Sequence, residues 1–469
     1  MAPLYLIFIL IYDEYMADAS CGLQERFDNK TLFRLIWPLI LEQILTVTMG
    51  AVDTIMVSSV GEFAISGVNI INNISNLLII AFTALTTGGA VVVSQYIGRR
   101  DSQNVNIASR QLYYIVCAAS LVIMIIVICF GQHIVVLIYG NIEFDVLKAS
   151  SDYFFITAFS FPLLASYSAC AALFRAAGNS RITLRISIIV NLINIAGNYF
   201  FIYHLGLGVI GAALSTLISR FVASLTLTSI LINNKVGPLN LKGLTKISFN
   251  RANIRSILNV GLPSGIEFSM FQFGRLLTQR LFAPFGTAAL AANAVASVVN
   301  SFSFMPGMAF GIALITVVGQ CVGAGDYSEA KRYTVKIMKI AWITLFIISV
   351  LIMIFLDSLV SLFNLGPEAF EMAKVFLRVH CISMAIGWVF SFTLPSALKA
   401  AGDAKFVMIA GSISMWAVRV SAAYFLVYVI GIGPIGVWLA MGGDFLVRGI
   451  CFTLRWFSEK WQGKKVIYE

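Results

Sequence analysis

Two carboxylates stand inside the first long apolar segment of the chain. Glu42 and Asp53 are eleven residues apart, which is three helical turns and roughly 16 Å of rise, so a helix places both on one face. Ionisable groups inside a membrane are costly and mark functional sites by default. Burial disfavours the charged form of Asp53, which predicts proton exchange near neutral pH. Glu42, close to Arg34, is also consistent with pairing to a loop cation or a backbone group.

A second polar surface follows farther along the chain. Four residues recur at helical spacing, so one face of a helix carries three carboxamides. Carboxamides both donate and accept hydrogen bonds, which suits a carboxyl group, a cation or a water chain. Hydrogen bonding between packed helices is the alternative interpretation of this face. The residues are Ser187, Asn191, Asn194 and Asn198.

The chain is a tandem duplication with a register of 225 residues. With this shift Pro38 falls on Pro263 and Glu42 on Glu267. An internal repeat in a strongly apolar chain is typical of a transporter whose substrate site lies between two related bundles. The same shift superimposes Gly61 on Gly286, Gln95 on Gln320, Gly98 on Gly323 and Asp101 on Asp326.

The second copy has a different set of polar residues at matching depths. Arg419 stands where the first copy has Asn194. Asp444 and Arg448 are four residues apart, which predicts an ion pair along one helical turn. Arg419 has no partner in its own segment, so we expect it to reach Asp444 or Glu267 across helices. The secondary polar and substrate candidates are Glu42, Asn191, Glu267, Arg275, Arg419 and Asp444.

Composition identifies an all-α integral membrane protein. The 469 residues are 59% hydrophobic and 12% charged, with a mean hydropathy of +0.89, whereas a soluble domain has roughly 25% charged residues. Apolar segments long enough to cross a bilayer as helices recur twelve times, six in each copy. They lie near residues 32–57, 66–94, 110–131, 152–174, 182–203, 207–232, 256–283, 289–319, 337–358, 372–398, 406–430 and 435–457.

The net charge of +10 follows the predicted membrane sides and does not indicate a nucleic-acid partner. Most Lys and Arg residues, among them Arg175 and Lys399, flank one set of alternate loops, which the positive-inside rule assigns to the cytoplasm. We therefore predict a multi-pass protein of the cytoplasmic (inner) membrane with both termini and the central linker in the cytoplasm. Six spans per copy is an even number, so the two repeats run parallel.

The predicted domain organisation has five parts. Residues 1–30 form an N-terminal extension. Its first eleven residues are apolar but too short to span a membrane, and they lack the basic start and cleavage site of a signal peptide, which suggests an upstream start or a disordered extension, with Met16 as an alternative initiator. The seven cysteines have neither metal nor disulfide spacing. The remaining parts are an N-lobe of spans 1–6 (31–232), a cytoplasmic linker (233–253), a C-lobe of spans 7–12 (254–459) and a C-terminal tail (460–469).

Several motifs, taken in order, resemble one transporter family. In the first copy they are Pro38 with Glu42-Gln43, Val52-Asp53-Thr54, Gln95-Tyr96-Ile97-Gly98 with Asp101, and Arg175-Ala176-Ala177-Gly178-Asn179. In the second they are Gly261-Leu262-Pro263 with Glu267, Gln320-Cys321-Val322-Gly323 with Gly325-Asp326, and Pro395 with Lys399-Ala400-Ala401-Gly402-Asp403. Residues 30–460 are therefore similar to the multidrug and toxic compound extrusion (MATE) family.

The resemblance implies two six-helix lobes in a V and export of organic cations against inward H+ or Na+. In relatives an acidic residue of the first span joins polar residues of the fifth and sixth in a cation site. A second branch of the family uses acidic residues of the seventh and tenth spans; here the seventh has Glu267, but the tenth has no central Asp or Glu. The positions matching the first pattern are Asp53, Asn194, Asn198 and Thr216, where Asn198 replaces the usual Asp and removes a charge that Na+ binding would use.

The sequence thus predicts a secondary active antiporter, not an enzyme. It would export small-molecule drugs, often organic cations, in exchange for H+, with Na+ at Asp53 as the open alternative. We expect a monomer among membrane lipids, without cofactor or firm metal site, and no P-loop indicates ATP as the driving force. A lipid-linked oligosaccharide flippase of the same superfamily is the alternative, because Arg275 and Arg419 could contribute to the basic cavity that such a substrate needs.

Overall fold

The computed structural model describes residues 26–140, 143–233, 239–241, 243–244, 248–464 and 466–467, and most of these are helical. The predictions for residues 1–15 and for much of the linker lie outside the described residues. The first copy contains α1 (Asn29–Ser58), α2 (Glu62–Gly98), α3 (Ser102–Tyr139), α4 (Phe144–Phe159), α5 (Phe161–Ala176), α6 (Ser180–Asn198) and α7 (Gly208–Asn233). The second contains α8 (Arg251–Arg280), α9 (Gly286–Ser303), α10 (Met305–Gly323), α11 (Tyr327–Ile354), α12 (Leu356–Ser361), α13 (Pro367–Ser383), α14 (Leu394–Ala400), α15 (Ala404–Ile413), α16 (Ser421–Tyr424) and α17 (Ile435–Phe457).

The prediction of twelve helical spans is confirmed. Among the described residues, ten helical runs are long and apolar enough to cross a membrane, and the bent pair α4 and α5, taken as one span, is the eleventh. One run, Arg251–Gly323, has 73 residues and contains both the seventh and the eighth predicted spans. These two are separated by a short turn at Ala283–Phe285.

The helices form two compact units whose boundaries fall inside α1 and α8. The N-unit comprises Trp37–Gly265, and the C-unit comprises Ile266–Val466 with the described residues up to Ile36. The lobe and linker boundaries drawn from the sequence remain predictions.

Within the N-unit, α2 packs against α3, α4 and α5, while α6 packs against α7. A side chain at Gly88 of α2 would clash with the main-chain oxygen of Ile257 in α8, so glycine permits this close approach. Within the C-unit, α10 packs against α11 and α14, and α17 packs against the π-helical segment Met384–Thr393.

Proline marks a break in a different span of each repeat. In the N-unit, Ser160 separates α4 from α5 at a bend of 48°, and Pro162 lies in the first turn of α5. In the C-unit, Phe304 separates α9 from α10, and Pro306 lies in the first turn of α10. Because proline has no N–H to continue a helix, it is tolerated in a first turn and stops the preceding helix.

The repeated Ala-Ala-Gly motif ends α5 and α14 in the same way. Gly178 and Gly402 have φ angles of 79° and 93°, a left-handed conformation that glycine adopts readily. The Gly178 N–H donates to the Arg175 carbonyl at 2.8 Å, and the Gly402 N–H donates to the Lys399 carbonyl at 3.0 Å, as in a Schellman cap. This geometry holds Arg175 and Lys399 in the last turns of their helices.

Candidate functional site

The strongest polar contact of the predicted coupling site joins Asp53 of α1 to Asn198, the last residue of α6. Asn198 Nδ2 donates to Asp53 Oδ1 at 2.5 Å and also lies 3.4 Å from Asn194 Oδ1. The Asn198 side chain is completely buried, and the helix continues from it as a π-helical segment, Tyr199–His204. Such π-helical turns are common at functional sites. One carboxylate and two carboxamides are thus brought together as a connected chain.

Thr216 of α7 belongs to the same cluster through Tyr153. The Tyr153 phenol interacts with the Thr216 hydroxyl and electrostatically with Asp53. The helices α6 and α7 are held close together here, because the Ser215 hydroxyl donates to the Asn194 carbonyl at 2.7 Å. All four residues predicted for the coupling site therefore lie in one cluster.

Asn191 lies about one turn before this cluster on α6. It is buried, and its Oδ1 has no hydrogen-bond partner among the described residues. Asn194 Nδ2 and Asn198 Oδ1 are in the same situation. A row of unsatisfied buried amide groups is costly in a packed protein and suits a surface that binds water or a ligand.

Sequence reasoning missed Arg220, the cationic member of the cluster. Arg220 is half-buried on α7, where Nη1 donates to Ser160 Oγ at 2.6 Å, and its guanidinium interacts electrostatically with Asp53. The sequence did contain an indication of this role, because Arg220 is four residues after Thr216 and therefore lies on the same face of the helix. Asp53 therefore has a cationic neighbour that is distant in sequence.

Glu42 has a separate environment. It is almost fully buried, with Oε1 lying 3.9 Å from Arg175 Nη2 and Oε2 accepting from the Thr183 hydroxyl at 3.0 Å. These contacts agree with the interpretation of Glu42 as the partner of a cation, here one in the last turn of α5.

Glu267 occupies the corresponding place in the C-unit. Its Oε2 lies 2.5 Å from Lys399 Nζ, and both side chains are buried, with only 8% and 5% of the two residues exposed. Lys399 lies in the last turn of α14, next to the loop that it was predicted to flank, and its side chain is directed into the C-unit; its membrane side stays a prediction. The ammonium also lies 4.7 Å from the Phe268 ring centre.

Asp444 and Arg448 of α17 form the ion pair that their spacing predicts. Arg448 Nη2 lies 3.5 Å from Asp444 Oδ1, which also accepts from the Ser414 hydroxyl at 2.6 Å. Arg419 was expected to reach Asp444 or Glu267; it interacts electrostatically with Asp444, but among the described residues the salt bridges of these two carboxylates are made by Arg448 and Lys399. Arg419 instead lies over the Phe271 ring at 5.5 Å.

Arg419 and Arg275 line a cavity of about 130 Å³ in the C-unit. Arg419 reaches it from the π-helical segment Ser414–Val420, and Arg275 from α8. The arrangement brings together two of the predicted substrate candidates and separates them from Glu267. The cavity is also lined by Thr278, Gln279, Phe282, Asn293, Ser297, Asn300, Ser301, Val437, Trp438 and Met441.

Comparison with known proteins gives a family match over most of the chain. A family model described as MatE matches residues 38–200 and again residues 263–425. The two matched stretches begin 225 residues apart, the same register as the repeat read from the sequence.

Curated relatives are similar over nearly their whole length. The uncharacterized transporter YisQ of Bacillus subtilis is 28% identical over 439 residues, covering 92% of this chain and 94% of the relative. A probable multidrug resistance protein NorM of Thermotoga maritima is 26% identical over 450 residues, covering 94% of each chain.

Solved structures share the fold. A MATE protein in a bent conformation superimposes with a TM-score of 0.85 at 19% identity, covering 92% of this chain and 96% of that chain. A MOP superfamily transporter from Pyrococcus furiosus gives a TM-score of 0.85 at 20% identity, covering 92% and 95%.

Proposed function

Because this chain belongs to the MatE family, we propose that it is a secondary active multidrug exporter that exchanges organic compounds, often cationic, for protons. The substrate class is supported by similarity to relatives named as probable multidrug resistance proteins. The coupling role is supported by the contact of Asp53 with Asn198, which puts an ionisable carboxyl group among buried polar side chains of the N-unit.

Protonation of Asp53 changes the contacts among three helices. The carboxylate accepts a charge-assisted hydrogen bond from Asn198 and attracts Arg220, so it links α1 to α6 and α7. A proton on Asp53 removes the charge that strengthens both interactions. Proton binding therefore favours a different arrangement of these helices. If drug binding favours the charged arrangement, proton entry and drug exit are linked through their different affinities for the two states.

Two features favour H+ over Na+ at Asp53. Sodium ions need several oxygen ligands, whereas Asn198 presents its amide nitrogen to the carboxylate. Arg220 also interacts with the same carboxylate, and its positive charge repels a cation. We therefore propose H+ as the ion exchanged at Asp53, with Na+ as the alternative that the experiment below tests.

Proteoliposomes with an imposed pH gradient test the proposal. Ethidium addition should dissipate the gradient in wild type and fail to do so in Asp53→Asn, with or without sodium. Glu62→Gln is the matched control, because it removes an exposed carboxylate of the same unit and should leave the flux unchanged.

The other outcomes identify the alternatives. Sodium-dependent flux, or proton flux that persists in Asp53→Asn, would contradict the assignment and move coupling toward Glu267. A wild type without any drug-evoked flux would contradict the exporter proposal and favour the lipid-linked oligosaccharide flippase.

A further inference from the structure

The charged side chains that line the cavity of the C-unit are positive. Two arginines, Arg275 and Arg419, face it together with amides and hydroxyls, and the described residues that line it include no Asp or Glu. All of the lining residues lie within Ile266–Val466, so the C-unit alone builds this cavity. It is distinct from the Asp53 cluster of the N-unit.

The charges around the cavity do not balance. Arg419 interacts electrostatically with Arg275, Arg448 and Asp444, so three guanidinium groups share one carboxylate. One oxygen of that carboxylate, Asp444 Oδ1, is already bound by Arg448 and by the Ser414 hydroxyl. The cluster therefore retains an excess of positive charge next to a polar cavity inside a membrane protein, an arrangement that is costly without an anionic partner.

Arg419 has donor capacity that the protein does not use. The residue is only 6% exposed, and its Nε has no hydrogen-bond partner among the described residues. Trp438, which is 4% exposed, also lines the cavity with an unpartnered Nε1. Buried N–H donors left without acceptors destabilise the fold unless a ligand or water supplies the acceptor.

We propose that this cavity binds the anionic group, a carboxylate or a phosphate, of a small ligand. The guanidinium forks of Arg275 and Arg419 match the paired oxygens of such a group. The Trp438 indole and the neighbouring hydroxyls and amides supply additional donors. A volume of about 130 Å³ corresponds to about four water molecules at ~30 Å³ each, which is enough for the anionic group and the atoms that carry it.

The site goes beyond the exporter proposal and does not depend on proton coupling at Asp53. Failure of proton-coupled flux would leave the anion site intact, and absence of anion binding would leave Asp53 as the coupling group. The two proposals also rest on different units of the chain.

Ligand-induced thermal stabilisation of the full chain tests this inference. The protein is placed in discs of phosphatidylcholine, and sodium benzoate and sodium phosphate are titrated at an ionic strength held constant with chloride. We expect saturable stabilisation by at least one of these anions in wild type. Arg275→Gln and Arg419→Gln should each weaken the apparent affinity about tenfold or more, since each removes a charge-assisted contact.

The matched control is Arg280→Gln on the same helix. Arg280 is exposed and does not line the cavity, so this variant should bind anions as wild type does. Arg419 is buried and its replacement can lower stability by itself, whereas Arg275 is more exposed. The Arg275 variant therefore keeps the test decisive if Arg419→Gln does not fold.

A second arm distinguishes a soluble anion from a lipid headgroup. Stabilisation by discs that contain phosphatidylglycerol, lost in Arg275→Gln but kept in Arg280→Gln, would assign the site to an anionic headgroup. Stabilisation by the soluble anions in phosphatidylcholine would assign it to a free ligand, and either result supports the proposal. Stabilisation in neither arm, or the same stabilisation in wild type and Arg275→Gln, would overturn it.

Discussion

Glu267 and Lys399 form a buried ion pair with 2.5 Å between Oε2 and Nζ, at the positions of the C-unit that correspond to Glu42 and Arg175 of the N-unit. In both repeats the carboxylate stands on the first helix, and the cation occupies the last turn before a left-handed glycine. Both repeats therefore contain an ion pair between their first and fourth spans. The two ion pairs differ in geometry, because the charged atoms of Glu42 and Arg175 are 3.9 Å apart, whereas those of Glu267 and Lys399 are 2.5 Å apart.

Removal of Lys399 should be strongly destabilising. Lys399→Met leaves Glu267 charged and buried without its partner, and breaking a buried ion pair in this way costs about 3 kcal/mol or more. Thermal unfolding in detergent measures the loss. Lys405→Met, which removes an exposed cation of the next helix, serves as the control and should unfold like wild type. Glu267→Gln combined with Lys399→Met should recover part of the loss, and a double variant less stable than Lys399→Met alone would contradict an ion-pair role.

Replacement of Arg175 should cost less than replacement of Lys399. The Arg175 side chain is 20% exposed and lies farther from its carboxylate, and Glu42 retains the hydrogen bond from Thr183 at 3.0 Å. Arg175→Met should therefore lower the free energy of unfolding by about 1 to 2 kcal/mol, between the values for an exposed pair and for a fully buried one. Unfolding scans of Arg175→Met and Lys399→Met side by side measure this order. The reverse order would show that the distance between the charged atoms does not determine which of the two ion pairs stabilises the fold more.

Local spacing predicted the contacts that lie within one helix or follow the repeat. Asp444 and Arg448 pair because residues four apart share a helical face, and the span pattern located the twelve helices. The ion pair of Lys399 with Glu267 was not predicted, because the direction of the Lys399 side chain depends on how α14 packs. The sequence did not predict that Arg448, and not Arg419, makes the salt bridge to Asp444 while Arg419 interacts with it only electrostatically, because tertiary packing decides which cation lies nearer.

Restoration of the family's acidic residue should change the ion dependence of transport. Asn198→Asp places a second carboxylate beside Asp53 and removes the N–H that now points at it. Two carboxylates supply more oxygen ligands for a hard cation and offset the charge of Arg220. Drug efflux by this variant in proteoliposomes should become stimulated by sodium, while wild type stays indifferent.

The matched control for this change is Asn191→Asp on the same helix. Among the described residues the carboxamide that donates to Asp53 is that of Asn198, and Asn191 Oδ1 has no hydrogen-bond partner, so replacement of Asn191 adds a charge without building the pair of carboxylates. Sodium stimulation that appears equally in both variants would mean that added charge, and not the geometry at Asp53, determines the response.

Loss of the Asp101 side chain should destabilise α3 in a pH-dependent manner. Asp101 lies outside the membrane spans and caps α3 by accepting from the Asn104 N–H at 3.0 Å, which holds the pKa of this carboxyl below its usual value. Replacement of a helix-capping Asp by Ala costs about 1 kcal/mol. A carboxyl with a lowered pKa stabilises the folded state above its unfolded pKa of about 3.9 and loses this effect as the pH falls through the folded pKa. Asp101→Ala should therefore be less stable than wild type at neutral pH, and the difference should shrink in thermal scans below about pH 4.

The control is Gln103→Ala in the same turn of α3, which should show no such pH dependence. A stability difference that is constant across this pH range would mean that the charged form of Asp101 does not carry the cap.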